Sequence, residues 1–222
     1  MITVKINGEE RQYPQGATYE DVTNDYQQEY ENLIALAARD GKIRELFKKL
    51  TRDCEVTFFT LKDDVGNKTY VRSATMLFLK AVFDVYGREA AQSCRVEFAI
   101  GNGSYISPKG KLNATEENAA KIRNRMRELV EAKTPFLKRS YSLDNAMELF
   151  RKEGMKDKEK LFRYRRGSFV NIYEMDGYYD YYYGYMLPNA GYVKWFDVIA
   201  YEDGFMLLLP DKKDPTHVKP FQ

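Results

Sequence analysis

Histidine is almost missing from this chain. Its 222 residues include one, His217, in the polar tail DKKDPTHVKPFQ. Zinc sites of the usual spacing need several His or Cys ligands, and a Ser/His/Asp relay needs a base held in a fixed position, so both chemistries are excluded. Cysteine is nearly as scarce: Cys54 and Cys94 stand singly in apolar, strand-like runs and read as buried reduced thiols. No window approaches the roughly 18 to 20 consecutive apolar residues of a membrane span. The opening MITVKINGEERQY alternates apolar and polar residues and enters structure at once, unlike a signal peptide. Excess charge of one sign is lacking too. A net +2 is too small to argue for nucleic acid by itself, so local distribution must carry any such case. No G-x-x-x-x-G-K-[ST] loop occurs, since GNKT at 66–69 lacks the upstream glycine.

What is present is a hydrophobic fraction of 44% and a charged fraction of 31%, a balance suited to a globular protein of one or two domains. Residues 2–7 alternate and meet Gly8, a strand and a turn. Thr18 with Asp21 makes a capping box for a helix running to about Tyr30. A strand over 33–38, a turn at Asp40 and Gly41, a short element over 42–46 and a strand through Cys54, Val56 and Phe58 follow, ending in a polar turn at 63–66. A helix from Ser73 stops at Gly87, and Val96, Phe98 and Ile100 form a strand before the turn GNGS. Asn113 or Thr115 caps a helix with Ala119, Ile122, Met126 and Leu129 inward. Ser142 starts another. RKEGMKDKEKLFRYRRGS reads as helix or loop, and 169–173 as a strand. Residues 198–201 and 205–209 form a hairpin, and a linker begins at Pro210.

The densest feature is GYYDYYYGYMLPNAGYVKWFDV, residues 177–198, which combines clustered tyrosines with the single tryptophan, Trp195. Rings at this density pack a core, line a pocket or offer a stacking surface, and composition alone leaves the three open.

Three stretches, VKINGEERQYPQGATYEDV, LIALAARDGKIREL and CEVTFFT, make residues 1–62 resemble a TGS domain, the ubiquitin-like β-grasp module of threonyl-tRNA synthetases, certain GTPases and stringent-response enzymes. Residues 63–210 resemble the second additional domain of threonyl-tRNA synthetase and its alanyl-synthetase relatives, where that family hydrolyses mischarged tRNA. The resemblance implies an α+β fold of two domains, with residues 211–222 a linker to a further domain. The family carries a histidine pair four residues apart on a helix; the matching YVRSATMLFLKAV has Arg72 and Met76 there. It carries a cysteine and a histidine in a later turn; YYYGYMLPNAGYVKWFDV has Tyr182 and Met186 in those places, before a strand through Trp195. The resemblance therefore implies a degenerate editing cleft, no catalytic residue and no metal. Guanidinium, thioether and phenol supply no general base at neutral pH.

The two modules together resemble the N-terminal half of bacterial uridine kinase-like (phosphoribulokinase/uridine kinase-related) proteins. That implies a downstream kinase domain as partner, with ATP and magnesium there and no cofactor here. The expected function is then a cytoplasmic, non-catalytic accessory region, RNA-related or regulatory. A purely structural module contacting the kinase and a residual hydrolase are the alternatives. Arg72, Tyr179, Tyr183, Tyr185 and Lys194 are candidate ligand or phosphate contacts, and tRNA or other RNA is a candidate partner through Lys121, Arg125, Arg163, Arg165 and Arg166. A solvated helix face explains the same basic residues equally simply. The sequence leaves oligomeric state open.

Overall fold

The computed structural model describes residues 1–164 and 167–221 and shows a mixed α+β chain. Strands β1 (Ile2–Ile6) and β2 (Glu9–Tyr13) form a hairpin whose two turn residues, Asn7 and Gly8, both take positive φ (51° and 88°), the twist that a two-residue hairpin requires. Helix α1 (Tyr19–Tyr26) begins at the expected capping box: the Thr18 side chain accepts from the Asp21 amide, and the Thr18 amide donates to the Asp21 carboxylate at 2.7 Å. A second hairpin, β3 (Ile34–Arg39) and β4 (Lys42–Glu45), precedes β5 (Cys54–Thr60). The five strands lie in the order β2-β1-β5-β3-β4, with β1 and β5 parallel. One face carries Ile2, Val4, Ile6 and Val56 onto Tyr19, Val22 and Tyr26 of α1, giving this part its own core.

The polar stretch at 63–66, expected as a turn, is instead the start of a helix. Asp63 closes the corner by accepting from the Thr60 amide at 2.7 Å, and α2 (Asp64–Tyr86) follows at once. With Asp64 in its first turn, acidic charge meets the positive end of the helix dipole. The helix buries Tyr70, Ala74, Met76, Leu77, Phe78 and Ala81 around much of its circumference, as a central helix must. It stops at Gly87, whose φ is 85°. Then come α3 (Arg88–Ser93), β6 (Arg95–Ile100), β7 (Gly103–Ser107) and α4 (Glu116–Glu131), the last capped by Thr115. PFLKRSYS, to which the sequence assigns no element, holds β8 (Leu137–Ser142), paired along its whole length with β9 (Phe169–Met175). Between them the charged stretch resolves into α5 (Leu143–Lys152), capped by Ser142, and α6 (Lys156–Arg163). Strand β10 (Tyr178–Asp180) completes a three-stranded sheet, and the hairpin β11 (Asp197–Tyr201) and β12 (Gly204–Leu208) joins β7 and β6 in a four-stranded one.

Trp195 lies in irregular chain, not in a strand as expected. The Tyr70 hydroxyl donates to its carbonyl (2.7 Å) and accepts from its amide (2.8 Å), so a side chain satisfies the backbone groups a strand partner would have taken. The tail read as a linker packs back on the sheet. Lys212 pairs with Asp64 at 2.6 Å, Asn102 donates to the Lys219 carbonyl at 2.9 Å, and Phe221 meets Tyr201 edge-on at 5.0 Å. Among the described residues no helix is long and apolar enough to cross a membrane.

Candidate functional site

One side of α2 presents Thr75, Leu79 and Phe83, spaced by four so that they stack on a single face. They floor a cavity of about 550 Å³. Ala91, Gln92, Cys94 and Arg95 form one wall, residues 178–182 the other, and the α5–α6 connection, Glu153 to Lys158, the rim. Asp180, only 6% exposed, organises the second wall. Its carboxylate accepts from the Tyr178 hydroxyl (3.3 Å) and the Tyr181 amide (2.7 Å), and Lys158 lies 3.4 Å away. Burial, and then the Asp180 charge, push the Tyr178 and Tyr182 phenols well above their ordinary pKa. Burial also pushes the Cys94 thiol up to about 12. These three groups are therefore protonated at neutral pH and cannot take a proton from water there.

Of the four positions matched to the family's reactive residues, Tyr182 lines this cavity. Arg72 and Met186 lie in a packed seam between α2 and the segment that follows β10, and Met76 lies in the apolar core that α2 shares with it. Met76 and Met186 are fully buried. The Arg72 guanidinium donates to the Tyr185 carbonyl at 2.5 Å, and the Leu187 amide donates to Ser73 Oγ at 2.9 Å. Gly184 takes a φ of 129°, which favours glycine, and a Cβ there would stand 2.6 Å from Arg72 Cζ, so the guanidinium would have to shift. Among the described residues no group of three His, Cys, Asp or Glu could hold a metal ion.

The other candidate contacts are scattered. Tyr179 lines the cavity, Tyr183 is 88% exposed, Tyr185 packs against the core and Lys194 stands over the Trp195 ring at 6.0 Å. On α4, Lys121 is taken up by Glu117 (2.7 Å), and Arg125 by Asp84 (2.9 Å) and Glu128 (2.7 Å). Arg163 is exposed, while Arg165 and Arg166 lie outside the described residues.

Glu45 was missed by the sequence reading. From β4 it reaches into the seam at 3% exposure. There it accepts from the Tyr173 hydroxyl, the Met186 amide (3.2 Å) and Lys138 (2.9 Å). Strand periodicity held the clue, because Glu45 is in phase with Ile43 and so shares its inward face.

The chain is similar to threonine–tRNA ligases. It is 28% identical over 207 residues to that of Thermotoga maritima, 24% over 201 to that of Porphyromonas gingivalis and 25% over 195 to that of Symbiobacterium thermophilum. These matches cover 87–90% of this chain and 30% of each ligase, so the chain spans under a third of the length of the curated relatives it matches. No protein-family model matches. The ligase likeness thus runs through both the five-stranded sheet and the cavity-bearing part.

Proposed function

We propose that the chain is a non-hydrolytic accessory region of threonine–tRNA-ligase type, which handles an RNA without cleaving its aminoacyl ester. Residues 1–62 would be its TGS β-grasp module. A five-stranded sheet with a parallel central pair and one helix laid across it supports that reading. Residues 63–210 would be an editing-like unit whose reactive groups are gone. The observation that carries the proposal is the cavity wall itself: Asp180, Tyr178 and Lys158 satisfy one another, and Tyr182 sits beside them as a protonated phenol. Ester hydrolysis needs a group that exchanges a proton near the working pH, or a metal that activates water. A wall of tyrosines around one buried charged pair is suited to holding a ligand, and a cytoplasmic setting belongs to the same reading.

The kinase expected from the pairing of modules draws no support from the three relatives, all of them ligases. ATP and magnesium would belong to that domain, outside the residues described.

Incubation with mischarged threonine-accepting tRNA, followed in parallel as deacylation and as binding, tests both halves. The expected result is salt-dependent binding with ester loss at the buffer rate. Deacylation above that rate sinks the non-hydrolytic half, and no binding at low salt sinks the RNA half.

A further inference from the structure

We propose that the outer face of α6 is a track for the phosphate backbone of a single-stranded nucleic acid, running from the rim of the cavity to the ring of Tyr164. The proposal rests on the RNA-handling reading above and assigns it a surface. Lys156, Lys160 and Arg163 are spaced i, i+4 and i+7, so they stand in one row about 10 Å long. All three are exposed, and none has an ion pair among the described residues. On α4, by comparison, Lys121, Arg123 and Arg125 each have a carboxylate partner, and among the described residues only Arg127 of that helix's basic side chains has none. Glu159 flanks the row but is engaged by Arg151 at 3.3 Å. Asp157 turns to the cavity, whose rim Lys156 shares.

Apolar groups complete the surface. Leu161 is 62% exposed, Tyr164 84% and Phe169 66%. Tyr164, the residue after Arg163, leaves a large ring open at the end of the row of unpaired cations, a footprint that a polyanion with flat, unpaired faces fits. Cations neutralise successive phosphates while the ring stacks on a base. A duplex keeps its base faces covered, so the chemistry selects a single strand.

Fluorescence anisotropy with a labelled unstructured RNA, its duplex form and tRNA, each at several salt concentrations, tests this. The variants are K156E/K160E/R163E, its milder counterpart K156Q/K160Q/R163Q and Y164A. The control, K5E/K42E/K68E, reverses three exposed cations elsewhere, and circular dichroism checks that every variant is folded. The track reversal is expected to weaken single-strand binding at least tenfold and to flatten the slope of log affinity against log salt by about 2, at ~0.7 for each phosphate left without its cation. Y164A should weaken binding severalfold at unchanged slope. If the native chain binds RNA and both track variants match the control, the track is wrong and the RNA reading stands. If the native chain binds no RNA at low salt, both fall. Duplex bound as tightly as single strand overturns the ligand class.

Discussion

Glu45 concentrates more contacts than any other carboxylate in the seam. Its oxygens serve a phenol on β9, an amide beyond β10 and an ammonium on β8, all at 3% exposure. A charge so buried is tolerable because its acceptor sites are used, and removing it strands the donors around it. Glu45→Ala should therefore lower the unfolding free energy by about 3–5 kcal/mol, the cost of breaking a buried pair. Glu45→Gln, which keeps the volume and one acceptor, should cost about 1–3 kcal/mol. Urea unfolding followed through Trp195 measures both; a loss under about 1 kcal/mol for the alanine variant means that the cluster holds nothing together. Arg72 illustrates the same scale from the other side. The sequence offered it as a ligand or phosphate contact, and within the fold one of its guanidinium nitrogens donates to the Tyr185 carbonyl at 2.5 Å.

Local signals carried most elements. The capping box at Thr18, the Ser142 cap, the Gly87 stop and the β11–β12 hairpin rest on groups a few residues apart and are found where the sequence put them, and of the two caps it offered for α4 the helix uses Thr115. What could not be read depended on distant partners: the N-terminal turns of α2 rest on β5, β8 exists because β9 lies beside it, and Trp195 is held by Tyr70. The candidate site divides along the same line. Tyr182 and the aromatic wall were legible as a density of rings and the inward phase of Glu45 as strand periodicity, whereas Lys158 and the Cys94 wall reach the cavity only through tertiary packing. Gly66 on α2 makes the distinction measurable. Replacing a helical glycine with alanine ordinarily gains about 1 kcal/mol from propensity. Here the added Cβ would stand 2.0 Å from the Thr60 carbonyl oxygen, so α2 would have to lift off β5. Gly66→Ala should reverse the sign and cost about 1–3 kcal/mol, as overpacked contacts do, seen as a lower Tm. An unchanged or higher Tm would show that α2 is free to move.

Across the whole molecule, the segment after β10 is the joint. Glu45 grips it at the Met186 amide, and Glu20 of α1 accepts from the Tyr192 hydroxyl at 2.9 Å and lies 3.4 Å from the Asn189 side-chain amide. Beneath them Ala35 and Leu36 of β3 enter the same apolar core as α2. The wall that carries Asp180 and Tyr182 is thus braced from the five-stranded sheet, and the cavity's shape depends on that sheet staying docked. Two carboxylates and an apolar seam acting together should make unfolding a single event, with far-UV circular dichroism and Trp195 fluorescence giving one midpoint in urea. In E20A/E45A the seam acts alone. The five-stranded sheet with α1 is the smaller part, and small units are the harder to stabilise alone, so it should melt first. Circular dichroism should then begin to fall at lower urea than Trp195 fluorescence, which reports the other part. If the two midpoints still coincide, the apolar seam is sufficient to couple the halves, and the carboxylates add stability without setting how the two parts move.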